Sequence, residues 1–263
     1  ASGMNCGTHA NSDRVMISAR MVFTDGTILD TGDAESRKTF AEKKPEFIQE
    51  IQNIRNNILN NKELSERIRH KYSIKNVTGL NILPFIYYDD PFDIIAHLLV
   101  GSEGTLAFMS EVTVKTEHDF PFKASAMLYF RDIRKACKAV VMFSKMTDKA
   151  GNRIVKGAEL LDKKSLSSVN DTTGEGLTAI LTEVKGNSPE ELAEHIAEIT
   201  KSLENYELAV PVYFTDKEEE YSRYWAIRSG IFPSVGGTRP PGTTCLIEDV
   251  AFHIQDLPNA VAD

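Results

Sequence analysis

The stretch Leu99-Val100-Gly101-Ser102-Glu103-Gly104-Thr105-Leu106 carries the most suggestive chemistry, with two glycines bracketing Ser-Glu and a threonine following. Glycine removes side-chain bulk, so a ligand can approach the backbone closely while N–H groups and the Ser and Thr hydroxyls offer hydrogen bonds. Such a loop suits a diphosphate or a ribityl chain, although an ordinary tight turn has the same composition. The first residues repeat the pattern: Gly3, Gly7 and Thr8, followed by Asn11 and Ser12, are all small or hydrogen-bonding. Two loops of this kind in one domain exceed what turns require. Neither a GxGxxG nor a GxxxxGK motif is present, so a Rossmann dinucleotide site and a P-loop are both unsupported.

Two arginines could grip an anionic substrate. Arg228, in Trp225-Ala226-Ile227-Arg228, carries a guanidinium that can fork onto a carboxylate, and the plain alternative is a surface ion pair with Glu218, Glu219 or Glu220 on the same helix. Arg239, in a Gly/Pro-rich loop, is the other candidate clamp. His97 and His253 are of the residue type that can transfer protons near neutral pH, but His97 falls in an amphipathic segment. The cysteines, Cys6, Cys137 and Cys245, are far apart and show no metal-ligand spacing, which suggests neither a disulfide framework nor a zinc site and fits a reducing cytoplasm. Glu103 and the pair Glu248-Asp249 read as capping or hydrogen-bonding groups, and Trp225 as core.

The elements that position these residues follow from periodicity. A chain of 263 residues with 41% hydrophobic and 26% charged residues is globular, with no apolar run approaching a membrane span. Its net charge of -8 argues against a nucleic-acid partner, which needs clustered cations. Alternation from Arg14 to Thr31 around Asp25-Gly26 predicts a hairpin, and Ala34 to Ile68 predicts one or two surface helices whose mixed charges are solvated. Tyr72 to Asp90 reads as a long loop kept for function. A short helix at 93–99, the Gly101 loop and a strand within Leu106–Lys115 then lead to a boundary at Glu117–Pro121.

Beyond that boundary, strands are predicted at 124–130, 155–161, 177–184, 208–214 and 244–252, with helices at 132–146, 163–169, 189–203 and 217–227. The fold class is α+β, with a sheet covered by helices on one face.

Taken together, Gly-Met-x-x-Gly-Thr, Asn11-Ser12, Thr24-Asp25-Gly26-Thr27, Asn76-x-Thr78-Gly79 and Gly101-Ser102-Glu103-Gly104-Thr105-Leu106 resemble the FAD-binding domain of the vanillyl-alcohol oxidase superfamily. The similarity is to the branch that holds the flavin-binding chain of glycolate oxidase and the FAD-linked D-lactate and D-2-hydroxyglutarate dehydrogenases. Downstream, Ala158-Glu159-Leu160-Leu161-Asp162, Trp225-x-x-Arg228 and Gly242 to Phe252 look like their ferredoxin-like substrate (cap) domain. Arg228-Ser229-Gly230-Ile231-Phe232-Pro233 is similar to large bacterial members that add an iron–sulfur domain.

The resemblance implies the second part of an FAD-binding domain at 1–118 and the first part of a cap domain at 119–263. FAD would lie across the Gly3–Ser12 and Gly101–Leu106 loops with its ring facing the second domain, aided by Asn76 and Gly79. Hydride would pass from a D-2-hydroxy acid (lactate, glycolate or 2-hydroxyglutarate type) to the flavin, and electrons to a quinone or an iron–sulfur acceptor. Arg228 matches a position that contacts the acid. The rivals are a flavin oxidase, a relative of alkyl-dihydroxyacetone-phosphate synthase, or a binding module that keeps the fold without the chemistry.

Departures from the pattern are equally informative. The family's Pro-Gly-Gly-Gly phosphate loop and its Gly-His-x-Gly-Asp-Gly-Asn segment are both missing, so the chain resembles a central fragment with the general base outside it. Partners would include the missing terminal segments, in the cytoplasm or peripheral to the inner face of the membrane. Ile247 stands where hydroxyglutarate relatives carry lysine, and His253 where relatives tend to have proline. Some superfamily members bond flavin covalently, but Cys6 reads as a small buried thiol.

Overall fold

The computed structural model describes residues 11–76, 79–169, 173–237, 239–243 and 251–261. Gly3, Cys6, Gly7, Thr8, Thr78, Cys245, Ile247, Glu248 and Asp249 lie outside the described residues. The chain divides into two compact units, one within Ala1–Glu117 and the other within His118–Glu248 together with Phe252–Asp263.

The first unit opens with one turn of helix, α1 (Ser12–Val15), that runs into β1 (Met16–Val22). The expected hairpin forms: β1 pairs antiparallel with β2 (Ile28–Asp30), registering Arg20 with Asp30 and Val22 with Ile28. Its turn is closed by the Phe23 N–H donating to Thr27 O and the Gly26 N–H to Phe23 O, both at 2.9 Å. The other edge of β1 pairs with β3 (Phe108–Val114), giving the sheet order β2-β1-β3.

Between β2 and β3 the chain forms three successive helices where one or two were expected: α2 (Ala34–Lys43), α3 (Pro45–Asn60) and α4 (Lys62–Lys71). Local chemistry breaks the periodic run. The residue before a proline is disfavoured in the α region, and Lys44 before Pro45 sits at φ -133°, ψ 52°. Asn61 caps α4 by accepting the Leu64 N–H at 3.0 Å. Met21, Leu29 and Ile94 are fully buried in this unit's core, each worth roughly 1.5–3 kcal/mol by transfer from water.

Two short helices, α5 (Pro84–Tyr87) and α6 (Pro91–Leu98), complete the unit. The Asp90 carboxylate caps α6 by accepting the Phe92 N–H at 2.8 Å. Arg37 of α2 clamps that end of the helix: Nη1 donates to Asp90 and Nη2 to Asp93, each at 3.0 Å, while Nε donates to Thr31 O at 2.7 Å. A fixed α6 places the Gly101 loop at its C-terminal end.

In the second unit β4 (Phe122–Phe130), β5 (Val155–Leu161) and β6 (Thr178–Gly186) form an antiparallel sheet of order β4-β6-β5. The helices are α7 (Ile133–Phe143), α8 (Lys163–Ser168), α9 (Pro189–Ser202), α10 (Glu218–Gly237) and α11 (Leu257–Ala260).

The sheet is covered on both faces, contrary to the single covered face expected from sequence. Alternate residues of β4 separate the two cores: Ala124, Ala126, Leu128 and Phe130 join the cluster that holds α7 and α9 residues, whereas Met127 and Tyr129 join Leu166 of α8 and Trp225 of α10. Double burial leaves no polar alternation in β4, all of whose residues from Ala124 to Phe130 are buried.

Residues 208–214 do not form the expected strand. Two isolated antiparallel bridges, Phe130 with Leu208 and Ser125 with Thr215, hold this segment beside the free edge of β4. Pro211, midway between the bridges, has no N–H to give a ladder and is tolerated only on an edge. The position still corresponds to the outer strand of a ferredoxin-like sheet. The helix predicted at 217–227 continues to Gly237 through Pro233. Of the strand expected at 244–252, residues 244–250 lie outside the described residues, and Ala251 and Phe252 are in neither helix nor strand.

Candidate functional site

The loops singled out by composition converge in the first unit. Asn11, Asn76, Gly79, Gly101, Ser102, Glu103 and Thr105 all line one cavity of about 400 Å³. Ser12, Gly104 and Leu106, expected alongside them, are not part of its lining.

The Gly101–Thr105 loop owes its shape to left-handed backbone. Gly101 and Gly104 have φ of +84° and +76°, and Glu103, at φ 52°, is the sole non-glycine residue with positive φ among the described residues. Left-handed backbone is a strained state for a residue with a Cβ, and such strain recurs at functional sites. The loop is locked by Ser102 N–H to Leu99 O at 3.1 Å and Thr105 N–H to Ser102 O at 3.0 Å, and the Thr105 hydroxyl also donates to Ser102 O at 2.6 Å. Among the described residues the N–H groups of Gly101, Glu103 and Gly104 have no such acceptor. A Cβ added at Gly79, Gly101 or Gly104 would meet nothing within 4 Å, so these backbones face open space.

The opposite wall is tied together by residues that sequence reasoning did not select. The Tyr72 hydroxyl donates to Leu80 O at 2.9 Å and accepts the Ile82 N–H at 3.1 Å, folding the 72–82 loop back on itself. Asn76 donates to Gly79 O at 3.2 Å. Asn81, buried, accepts the Leu83 N–H through Oδ1 and donates through Nδ2 to Asp13, each at 3.0 Å, joining this loop to the start of the described chain. The polar density of 72–90 was the available signal for Tyr72 and Asn81. Asp13 and Arg14 had only their position after Asn11-Ser12.

Electrostatics narrow what the cavity can hold. Among the described residues, Asp13 and Glu103 are its acidic lining residues and Arg14 its one cation. Arg14 lies 3.7 Å from the Asp13 carboxylate and its guanidinium carbon sits 4.0 Å above the Tyr87 ring. A wall with this balance suits hydroxyl-bearing, uncharged parts of a ligand better than a diphosphate.

The other candidates fall elsewhere. His97, buried in the first unit, is not in the cavity lining: Nδ1 meets Asp93 O at 2.7 Å, Nε2 meets Met16 O at 3.2 Å, and the ring stacks on Tyr88 with centroids 4.1 Å apart. This geometry brackets α6 to β1. His253 precedes a single 3-10 turn at Ile254–Asp256.

In the second unit, Arg228 on α10 pairs with Glu159 of β5, Nε donating to Oε2 at 2.5 Å. The second oxygen, Glu159 Oε1, is buried and has no hydrogen-bond partner among the described residues. Arg239 is exposed in the loop after α10, its Nε 3.5 Å from Gly236 O. Trp225 packs in the α8/α10 core as expected and donates from Nε1 to Ser125 Oγ at 3.3 Å.

Comparison with known proteins agrees with the second unit's architecture. Residues 121–263 match the family described as FAD linked oxidases, C-terminal domain. The chain belongs to that family. It is also 31% identical over 161 residues, 58% of its length, to glycolate oxidase subunit GlcD of Escherichia coli K12, with the same figures for the protein of the O6:H1 strain. The match takes in 30% of those relatives' own length, so the chain spans less than a third of them. FAD is the cofactor of this family.

Tested against that cofactor, the first-unit cavity has N–H groups left to donate, a glycine backbone open to close approach and amide side chains fixed on the facing loop. These fit a hydroxylated, uncharged segment of FAD. Toward a diphosphate the described lining offers Arg14, which lies beside the Asp13 carboxylate. No helix among the described residues is long and apolar enough to cross a membrane.

Proposed function

We propose that this chain is the central part of an FAD-dependent dehydrogenase of D-2-hydroxy acids, its first unit holding part of FAD and its second unit serving the substrate. The observation that carries this reading is the gathering of Asn11, Asn76, Gly79, Gly101, Ser102, Glu103 and Thr105 on one cavity, in a chain whose second unit is of the FAD linked oxidase type. Bound FAD supplies a two-electron acceptor, which is what removal of hydride from a hydroxy acid needs.

The chain's own residues bind and orient. The N–H groups of Gly101 and Glu103 donate to sugar or ribityl oxygens, and Asn11 and Asn76 add hydrogen bonds from the other wall. Arg228 and Arg239 are the substrate-carboxylate candidates. Pairing of Arg228 with Glu159 through Nε constrains the guanidinium plane. Lactate, glycolate and 2-hydroxyglutarate types all remain within this reading. The GlcD likeness favours a small hydroxy acid, with electrons leaving to a quinone or an iron–sulfur centre. The cysteine spacing supports a cytoplasmic setting.

FAD titration followed by thermal unfolding tests the cofactor site directly. A ligand at about 100 times its dissociation constant stabilises the folded state by about 2.7 kcal/mol. The expected result is a saturable rise in Tm with FAD, none with NAD, and loss of the FAD response in Gly101→Val. An unchanged Tm at saturating FAD rejects the proposed site in this chain.

A further inference from the structure

Away from both sites, the second unit gathers metal-ligand chemistry in one small space. A cavity of about 210 Å³ is lined by Asp148, Glu191 and His195, with His118, Asn187 and Lys156 around them. One oxygen from each carboxylate and a ring nitrogen of His195 all lie within 4.8 Å of one another. Glu191 and His195 are four residues apart on α9 and so share a helix face, whereas Asp148 comes from the turn between α7 and β5.

Each member is already oriented by a partner. The Asp148 carboxylate accepts the Ala150 N–H at 2.9 Å, the Asn152 N–H at 2.7 Å and Asn152 Nδ2 at 3.0 Å. Glu191 Oε2 accepts the Asn187 N–H at 2.6 Å and Asn187 Nδ2 at 3.1 Å. Neither acid depends on the other for its position.

His195 is the independent pointer to a ligand. It is 7% exposed, and its Nδ1 lies 3.1 Å from the carbonyl of Lys185. A carbonyl only accepts, so Nδ1 carries the proton and donates, and in the neutral ring Nε2 keeps a lone pair. No hydrogen bond to Nε2 is made among the described residues. This arrangement, one ring N–H given to a backbone carbonyl while the other nitrogen is left to coordinate, is the usual support for a metal-bound imidazole.

We propose that Asp148, Glu191 and His195 form a binding site for a borderline divalent cation such as zinc, which ties the α7–β5 turn to α9. One imidazole and two carboxylates make a nitrogen–oxygen donor set suited to such ions, and water completes the coordination. Two lysines also line the cavity as competing cations: Lys156, whose ammonium sits 4.6 Å from the Phe120 ring centroid, and Lys185, whose ammonium pairs with Glu183 at 3.0 Å. Close packing fixes the helix against the sheet: a Cβ on Gly186 would come within 2.8 Å of the Leu192 N, so β6 approaches the first turns of α9 with no room to spare. The proposal stands apart from the flavin reading.

The test is calorimetric titration of Zn²⁺ into chelator-treated chain, with Co²⁺ as a spectroscopic substitute. One equivalent of metal should bind, Co²⁺ should develop ligand-field absorption in the visible, and Tm should rise with either ion. His195→Gln and Glu191→Gln should each weaken binding by about tenfold or more. Should His195→Gln fold poorly, as judged by its metal-free melt, Glu191→Gln decides, since a glutamine oxygen can still accept the Asn187 N–H. Absence of binding at micromolar Zn²⁺, or wild-type affinity in Glu191→Gln, overturns the proposal.

Discussion

Replacing Arg228 with methionine removes the guanidinium from a carboxylate that has little else to hold it. The Glu159 side chain is 8% exposed, Oε2 accepts from Arg228 at 2.5 Å, and Oε1 is buried without a partner among the described residues. Stripping the partner from a buried charge costs about 3–5 kcal/mol. The Arg228 side chain is 25% exposed, which moves the expectation to the lower end, about 3 kcal/mol. Glu159→Gln keeps the acceptor but loses the charge, costing about 1–2 kcal/mol. The double variant Arg228→Met with Glu159→Leu removes both charges and should lie within about 1 kcal/mol of wild type, because an apolar pair often replaces a buried ion pair without loss.

Urea unfolding followed by tryptophan fluorescence suits this measurement. The chain has one tryptophan, Trp225, on the same helix as Arg228, so the signal reports the second unit. Additive effects, or a cost below about 1 kcal/mol for Arg228→Met, would refute the idea that Glu159 relies on Arg228. They would also free Arg228 for a purely substrate-directed role.

Glu103→Gly should raise Tm, since the left-handed conformation costs a residue with a Cβ about 1–2 kcal/mol and the added unfolded-state freedom of glycine returns about 0.4–1 of it. Acid titration probes the start of α10. Hydrogen bonds from Thr215, Lys217 and Tyr213 lower the Glu220 pKa from 4.5 to about 2. A carboxylate lowered in the folded state binds its proton first in the unfolded chain, so its contribution is complete above about pH 4.5 and disappears as pH falls towards 2. Glu220→Gln should flatten the pH dependence of stability in that window alone, as measured by urea midpoints. Thr182→Val should stabilise the second unit by about 1 kcal/mol, because its hydroxyl is buried with no hydrogen-bond partner among the described residues and its removal ends an uncompensated desolvation; an unchanged or lower urea midpoint would contradict this.

Local chemistry carried much of the fold in the sequence. Asp25-Gly26 between alternating apolar runs specified the β1–β2 hairpin, and the 3.6-residue period of α9 and the strand–helix order from 122 to 202 needed no tertiary information. The loop chemistry of Gly101–Thr105 was legible for a similar reason: glycines at left-handed positions are demanded by the backbone itself. Helix breaks at Pro45 and Asn61 were present in the sequence as well, though periodicity alone ran through them.

Long-range partners were settled only in three dimensions. Whether β4 is covered on one face or two depends on where α8 and α10 return, and a run of buried residues is compatible with either. The segment 208–214 has strand composition, but Pro211 and an edge position reduce it to two bridges. Arg228 could have met several acids on its own helix, yet the sheet offered Glu159, 69 residues away, in a drier environment. Sequence determines which groups are available and what each can bond; the fold decides which of them are brought within bonding distance and how much water is left between them.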